Sequence, residues 1–239
     1  MKKIILIIAV VFIGLGIFLI EPKEKEVITD PGIEDNSPTA NQSVMKLNYK
    51  LVRNNEQLEA NASAVIISSD DNFYYVVTNY HAINHPDFTA VELKLTDFYG
   101  NQYDGEIMVI NTSHKLISQF YDLALIKFTK TEVELSPVII RVSPLNISDL
   151  VTSIGYVNDE KKIEMGYFNG LGKFANSQFD IIDHSCEIER GFSGGGLFDR
   201  YGKLVGINFG VSSTDQGQFI TAYAIPVSCV LEYIQIFNI

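Results

Sequence analysis

From Met45 to Ile225, short runs rich in Val, Ile, Tyr and Phe follow one another with polar turns between them, and no stretch among them carries a helical period. The runs are Met45–Val52, Ala64–Ser68, Phe73–Thr78, Ala90–Leu95, Glu106–Ile110, Leu123–Phe128, Val138–Val142 and Leu150–Tyr156. They continue with Lys162–Phe168, Phe179–Asp183, Gly196–Phe198, Leu204–Phe209 and Ile220–Ile225. Turn chemistry separates them, as in Asp70-Asp71-Asn72, Tyr99-Gly100-Asn101 and Arg200-Tyr201-Gly202. Strands at this spacing predict an all-β domain, built as a sandwich or as barrels. The one helical pattern runs from Pro226 to Phe237, where Pro opens it and Val230, Leu231, Ile234 and Phe237 share a side.

The first twenty residues are of another kind. Met1-Lys2-Lys3 precedes an unbroken apolar run, Ile4 to Ile20, which as a helix reaches about 26 Å, enough for a thin bilayer core. Lys2 and Lys3 place the N-terminus on the cytoplasmic side. The run leads into Glu21-Pro22-Lys23-Glu24-Lys25 without a small-x-small cleavage site, so residues 1–20 are expected to be a transmembrane anchor, with a cleaved signal as the alternative. Either way the remainder is exported, as a membrane-anchored extracytoplasmic domain or as a secreted one. Residues 21–43 are polar, with Pro22, Pro31 and Pro38, and read as a flexible stalk. Residues 44–239 then form one domain, long enough to bury a proper core.

The chain carries 18 basic and 29 acidic residues, a net charge of −11. Without Lys2 and Lys3 the balance is 16 against 29, or −13. No basic patch remains for nucleic acid, so that class of partner is dismissed. Cys186 and Cys229 are too few for a disulfide framework and could be two buried thiols or one bridge. They do not cluster with the four histidines, and no metal site is expected.

Three segments carry chemistry. Val76-Val77-Thr78-Asn79-Tyr80-His81 is a β-run that ends on a histidine. Tyr121-Asp122-Leu123-Ala124 is an aspartate that opens an apolar strand. Gly191-Phe192-Ser193-Gly194-Gly195-Gly196 is a serine in a glycine-rich turn. Each alone has an ordinary explanation as a strand end, a cap or a tight bend. Together they supply what acyl transfer needs: a nucleophile in Ser193, a general base in His81 and an orienting carboxylate in Asp122. The amides of Gly191 and Ser193 are the candidates for an oxyanion hole. Gly-x-Ser-x-Gly also matches the elbow of α/β-hydrolases, but β-structure rather than a helix follows Ser193, which excludes that fold.

The order His, Asp, Ser is that of chymotrypsin, and the segments resemble trypsin-like serine proteases, most closely the bacterial HtrA-like (Deg) group. The resemblance is carried by Ser63-Ala64-Val65-Ile66-Ile67, Val77 to Ile83, Asp122 to Lys127, Val151 to Tyr156, Gly191 to Gly195, Leu204 to Asn208 and Ala224 to Val227. It implies two packed antiparallel β-barrels with a C-terminal helix and the triad between them. It further implies a serine endopeptidase acting on polypeptide substrates, in the setting of protein quality control, with no cofactor. It also implies a first specificity pocket walled by residues five to seven before the serine, here Cys186, Glu187 and Ile188, and by Val211 and Thr221. An inward Glu187 would favour Lys or Arg before the cut bond; a base formed by Ile188, with Glu187 solvated, predicts a small aliphatic residue, and this is the reading adopted.

Two departures stand out. Phe192 replaces the family's polar residue before the serine, so activation by a newly cut N-terminus is not expected, and Gly196 replaces its proline. With the sequence ending soon after the terminal helix, the PDZ domain many HtrA-like enzymes carry is not expected. The competing readings are a catalytically inactive module of the same fold that grips extended peptides, and an esterase using the same triad.

Overall fold

The computed structural model describes residues 38–53, 56–84, 89–109, 114–173 and 179–239. The expected anchor, residues 1–20, and most of the expected stalk lie outside these. Among the described residues no helix is long and apolar enough to cross a membrane.

The N-terminal sheet holds β1 (Val44–Arg53), β2 (Glu56–Ser69), β3 (Phe73–Asn79), β4 (Thr89–Thr96), β5 (Gln102–Asp104), β6 (Glu106–Ile107) and β7 (Leu123–Thr129). Their order is β5-β4-β1-β2-β3-β7-β6, and all the pairings are antiparallel. The two edges, β5 and β6, are separated in sequence only by Gly105. One bent strand thus pairs with β4 on one side and β7 on the other, and the sheet closes on itself. Gly105 N donates to Leu93 O (2.9 Å) and Met108 N to Leu125 O (2.8 Å) across this seam. A side chain at Gly105 would press on Ile126 and Leu93, so the close approach requires glycine there.

The second sheet is a closed barrel in the order β10-β13-β12-β11-β8-β9. Its strands are β8 (Leu150–Val157), β9 (Glu160–Gly172), β10 (Ile181–His184), β11 (Gly196–Asp199), β12 (Leu204–Ser213) and β13 (Phe219–Pro226). A helix, α4 (Val227–Gln235), follows. It occupies the predicted position, although Pro226 caps it rather than opening its first turn.

The apolar runs of β2, β3 and β7 do not alternate because both of their faces are covered. Ala64, Ile66, Val76, Ala124 and Ile126 fill the first barrel. Val65, Val77, Leu123 and Leu125 point the other way, into a core shared with Ile154, Leu204, Ile207 and Ile225 of the second barrel and Val230 and Tyr233 of α4. Burial on both faces produces near-continuous hydrophobic runs. A third cluster, which includes Val151, Phe168, Phe192 and Ala224, fills the second barrel.

Several local expectations are corrected. Residues 38–43, assigned to the stalk, form helix α1 (Pro38–Ser43), with Ala40 and Ser43 buried. Lys161 of β9 holds it, donating from Nζ to Asn41 O while lying over the Tyr156 and Phe98 rings. Burial in that setting pushes the Lys161 amine down to about 7. Val138–Val142 is not a strand of either barrel. It joins the two: Val138 N donates to Ile66 O of β2, Leu204 N donates to Ile139 O, and Arg141 N donates to Leu204 O. Two further short helices, α2 (Tyr80–Ile83) and α3 (His114–Tyr121), were not expected. Cys186 and Cys229 are both free, buried thiols in different cores.

Candidate active site

His81 stands where β3 gives way to α2. Asn79 closes the strand, Ala82 and Ile83 turn inward, and His81 is left half-exposed on the short helix. Asp122 lies between the end of α3 and the start of β7, with φ of 52°, a left-handed conformation that Asp tolerates better than most residues. Helix α3 is fixed to α4 through Ser118 Oγ and Tyr233 OH, 2.9 Å apart, so Asp122 is presented from a braced element.

The two segments meet through four hydrogen bonds. Asp122 O accepts from Tyr80 N (3.1 Å) and from Asn79 Nδ2 (3.2 Å). Asp122 Oδ1 accepts from His81 N (2.9 Å), and Oδ2 lies 2.7 Å from His81 Nδ1. A carboxylate only accepts, so in neutral His81 the proton sits on Nδ1. The Nε2 lone pair is then free, and it lies 3.3 Å from Ser193 Oγ. The structure brings His81, Asp122 and Ser193 together, from both barrels.

The serine turn is shaped by close approach. Gly191 has φ of 108° and Gly194 φ of 82°. A side chain on Gly191 would overlap the Tyr156 carbonyl oxygen, and one on Gly194 would overlap Ser63 O and Thr78 Oγ1. Gly194 N donates to Asn208 O (2.9 Å) and Asn208 N to Gly195 O (2.8 Å), which fastens the turn to β12. Among the described residues, neither the Gly191 amide nor the Ser193 amide donates a hydrogen bond within the protein.

Phe192 is 1 % exposed and packs inside the second barrel. Its ring lies so near Gly155 that a Cβ there would be 2.8 Å from Phe192 Cδ1. Gly196 faces the Phe198 ring, which occupies the space a larger residue would need. Both departures from the family pattern are thus absorbed by packing.

Of the expected pocket residues, Ile188 is buried in the same core as Phe192, while Glu187 and Val211 are exposed. Thr221 is buried, its Oγ1 2.5 Å from Asp183 Oδ1 and 3.0 Å from His184 O. Cys186 is buried, Sγ 3.7 Å from Val151 O, and burial pushes its thiol up to about 12.

Three buried polar residues behind the site went unassigned in the sequence. Ser63 contacts the serine turn, and Thr78 Oγ1 donates to Ser63 O (2.7 Å). His184 is wholly buried, and neither of its ring nitrogens has a partner. The Asn208 side chain approaches the ring without forming a well-aligned bond, being held by Ser153 Oγ (2.9 Å) and Gly196 O (3.2 Å). Burial pushes His184 down to about 4. Among the described residues no cluster of His, Cys, Asp and Glu could hold a metal ion.

Residues 62–207 match the family profile described as a trypsin-like peptidase domain. The chain is 29% identical over 206 residues to the "Probable periplasmic serine endoprotease DegP-like" of Buchnera aphidicola subsp. Schizaphis graminum, covering 84% of this chain and 40% of that protein. It is 27% identical over 179 residues to the periplasmic serine endoprotease DegP of Escherichia coli, covering 73% of this chain and 35% of that one. The chloroplastic protease Do-like 5 of Arabidopsis thaliana is 27% identical over 176 residues, covering 67% and 53%. The chain therefore spans about two fifths of the length of the bacterial relatives it matches. A solved HtrA-type protease with a tripeptide superposes with a TM-score of 0.67 over 82% of this chain and 60% of that one, at 23% identity, a likeness of fold.

Proposed function

The chain belongs to the trypsin-like peptidase family, and we propose that it is a serine endopeptidase cutting polypeptides outside the cytoplasm. The observation that carries this is His81 standing between Asp122 Oδ2, at 2.7 Å, and Ser193 Oγ, at 3.3 Å, with its free nitrogen facing the serine. In this reading His81 Nε2 takes the Ser193 proton as Oγ attacks the peptide carbonyl carbon. The carbonyl oxygen becomes an oxyanion, stabilised by the Gly191 and Ser193 amides. His81 then protonates the departing amine, leaving an acyl-enzyme on Ser193. Water, deprotonated by His81, releases the acid product and returns the proton to Ser193. Asp122 stays ionised, holding the ring and balancing its transient charge.

The DegP-like relatives are named periplasmic, which supports an extracytoplasmic site of action. The apolar run of residues 4–20 supports tethering to the membrane. Ile188, buried beside the serine turn, and the exposed position of Glu187 support a small, apolar first pocket. A fluorophosphonate probe should label the protein at Ser193, and Ser193→Ala should abolish both the label and casein hydrolysis, with a loss of about 10⁶ in turnover. Casein hydrolysis persisting in purified Ser193→Ala would remove Ser193 from the mechanism.

A further inference from the structure

Ser63 belongs to the first barrel, on β2, and is fully buried, yet its polar atoms are directed at the active site. Its amide donates to Ser193 O (2.8 Å). Its hydroxyl donates to Gly191 O (2.7 Å) and accepts from Tyr156 N (2.8 Å). Its carbonyl accepts from Thr78 Oγ1 (2.7 Å), three residues before His81 on the strand that delivers the base. All three groups are satisfied, by four bonds, in a dry interior where such bonds are stiff and costly to lose.

The two carbonyls that Ser63 holds belong to Gly191 and Ser193, the residues whose amides the functional reading assigns to the oxyanion hole. Gly191 N and Ser193 N are separated by a single complete peptide plane, that between Gly191 and Phe192. The direction in which that plane faces sets the angle between the two donors. Gly191, with φ of 108°, has no side chain to restrict rotation of that plane, and Gly191 O is the handle by which it can be held. We propose that Ser63 is a positioning residue for the oxyanion hole: its hydroxyl locks the Gly191–Phe192 peptide plane and so aims both donor amides at one point. Through Thr78 the same residue ties the donors to the strand that carries His81.

The inference rests on Ser193 being the nucleophile, and the experiment separates the two. Inactivation by a fluorophosphonate forms a bond from Ser193 Oγ to phosphorus and expels fluoride, with the phosphoryl oxygen seated in the hole. Its saturation kinetics yield a rate, kinact, and a binding constant, KI, without any need to know the natural substrate. Removing an oxyanion donor outright costs about 10²–10³ in rate, so misaiming the pair in Ser63→Ala should lower kinact about tenfold or more while KI stays within about twofold. Ser63→Cys preserves bulk but offers only a weak donor, and should lower kinact in the same way if the alanine variant does not fold. Thermal melting of the same samples identifies the folded variants. An unchanged kinact in a folded variant, or a loss expressed wholly in KI, would overturn the role of Ser63 and leave the functional reading standing. Failure of the wild-type protein to react at all would overturn both.

Discussion

Asp122 grips His81 twice, at the backbone amide through Oδ1 and at ring Nδ1 through Oδ2. Both contacts need an acceptor. Asparagine offers only one acceptor atom, because its other end is a donor. In Asp122→Asn, keeping the backbone contact would set an NH₂ against Nδ1, moving the ring proton to Nε2 and removing the lone pair that faces Ser193. Turnover should fall about 10⁴-fold, as for the equivalent change in related triads, with little change in melting temperature. A loss below about tenfold would show that Asp122 does not set the tautomer.

The buried His184 makes acid stability testable. Its proton is bound more weakly in the folded protein, near 4, than in the unfolded chain, where a histidine titrates near 6.5. The unfolded state therefore gains protons first as pH falls. Stability from this residue is complete above about pH 6.5, is lost between there and about pH 4, and changes no further below; the span corresponds to about 3 kcal/mol. Urea unfolding at a series of pH values should show this slope, and His184→Leu should flatten it. A variant with the wild-type slope would assign the acid sensitivity elsewhere.

Substrate choice can be read from a peptide library. With Ile188 buried and Glu187 turned to solvent, Val, Ala and similar residues should dominate immediately before the cut bond. Glu187→Ala should leave that preference unchanged. A profile dominated by Lys and Arg that collapses in Glu187→Ala would show that the carboxylate works inside the pocket.

Much of the molecule is written in local pattern, and what is not has a common cause. The candidate triad was legible because His81, Asp122 and Ser193 each sit at the edge of an apolar run or in a glycine turn, in a fixed chain order. Most strands were legible from their Val-, Ile-, Tyr- and Phe-rich runs, while the short β5 (Gln102–Asp104) was not. Helix α1 was not: Pro-Thr-Ala-Asn-Gln-Ser carries no apolar period, and its order comes from Lys161, some 120 residues away. Ser63 was present in a recognisable segment, yet a small polar residue in a β-run reads as its solvent face. Only the second barrel, covering the outer side of β2, makes that position interior. The segment 138–142 has β-rich composition because it is extended and half-covered, although it belongs to neither sheet.

That segment has a bearing on survival. If the chain cuts polypeptides as proposed, it meets other copies of itself, and a cut in the covalent join separates its two halves. To enter a cleft, a stretch of backbone must first leave the partners it already has. Here Val138 and Arg141 donate to one half each, and Ile139 accepts from Leu204. Releasing the stretch would break these bonds and draw Val138 and Ile140 away from the core between the halves. Residues 138–141 are thus a poor substrate for other copies for as long as the molecule stays folded.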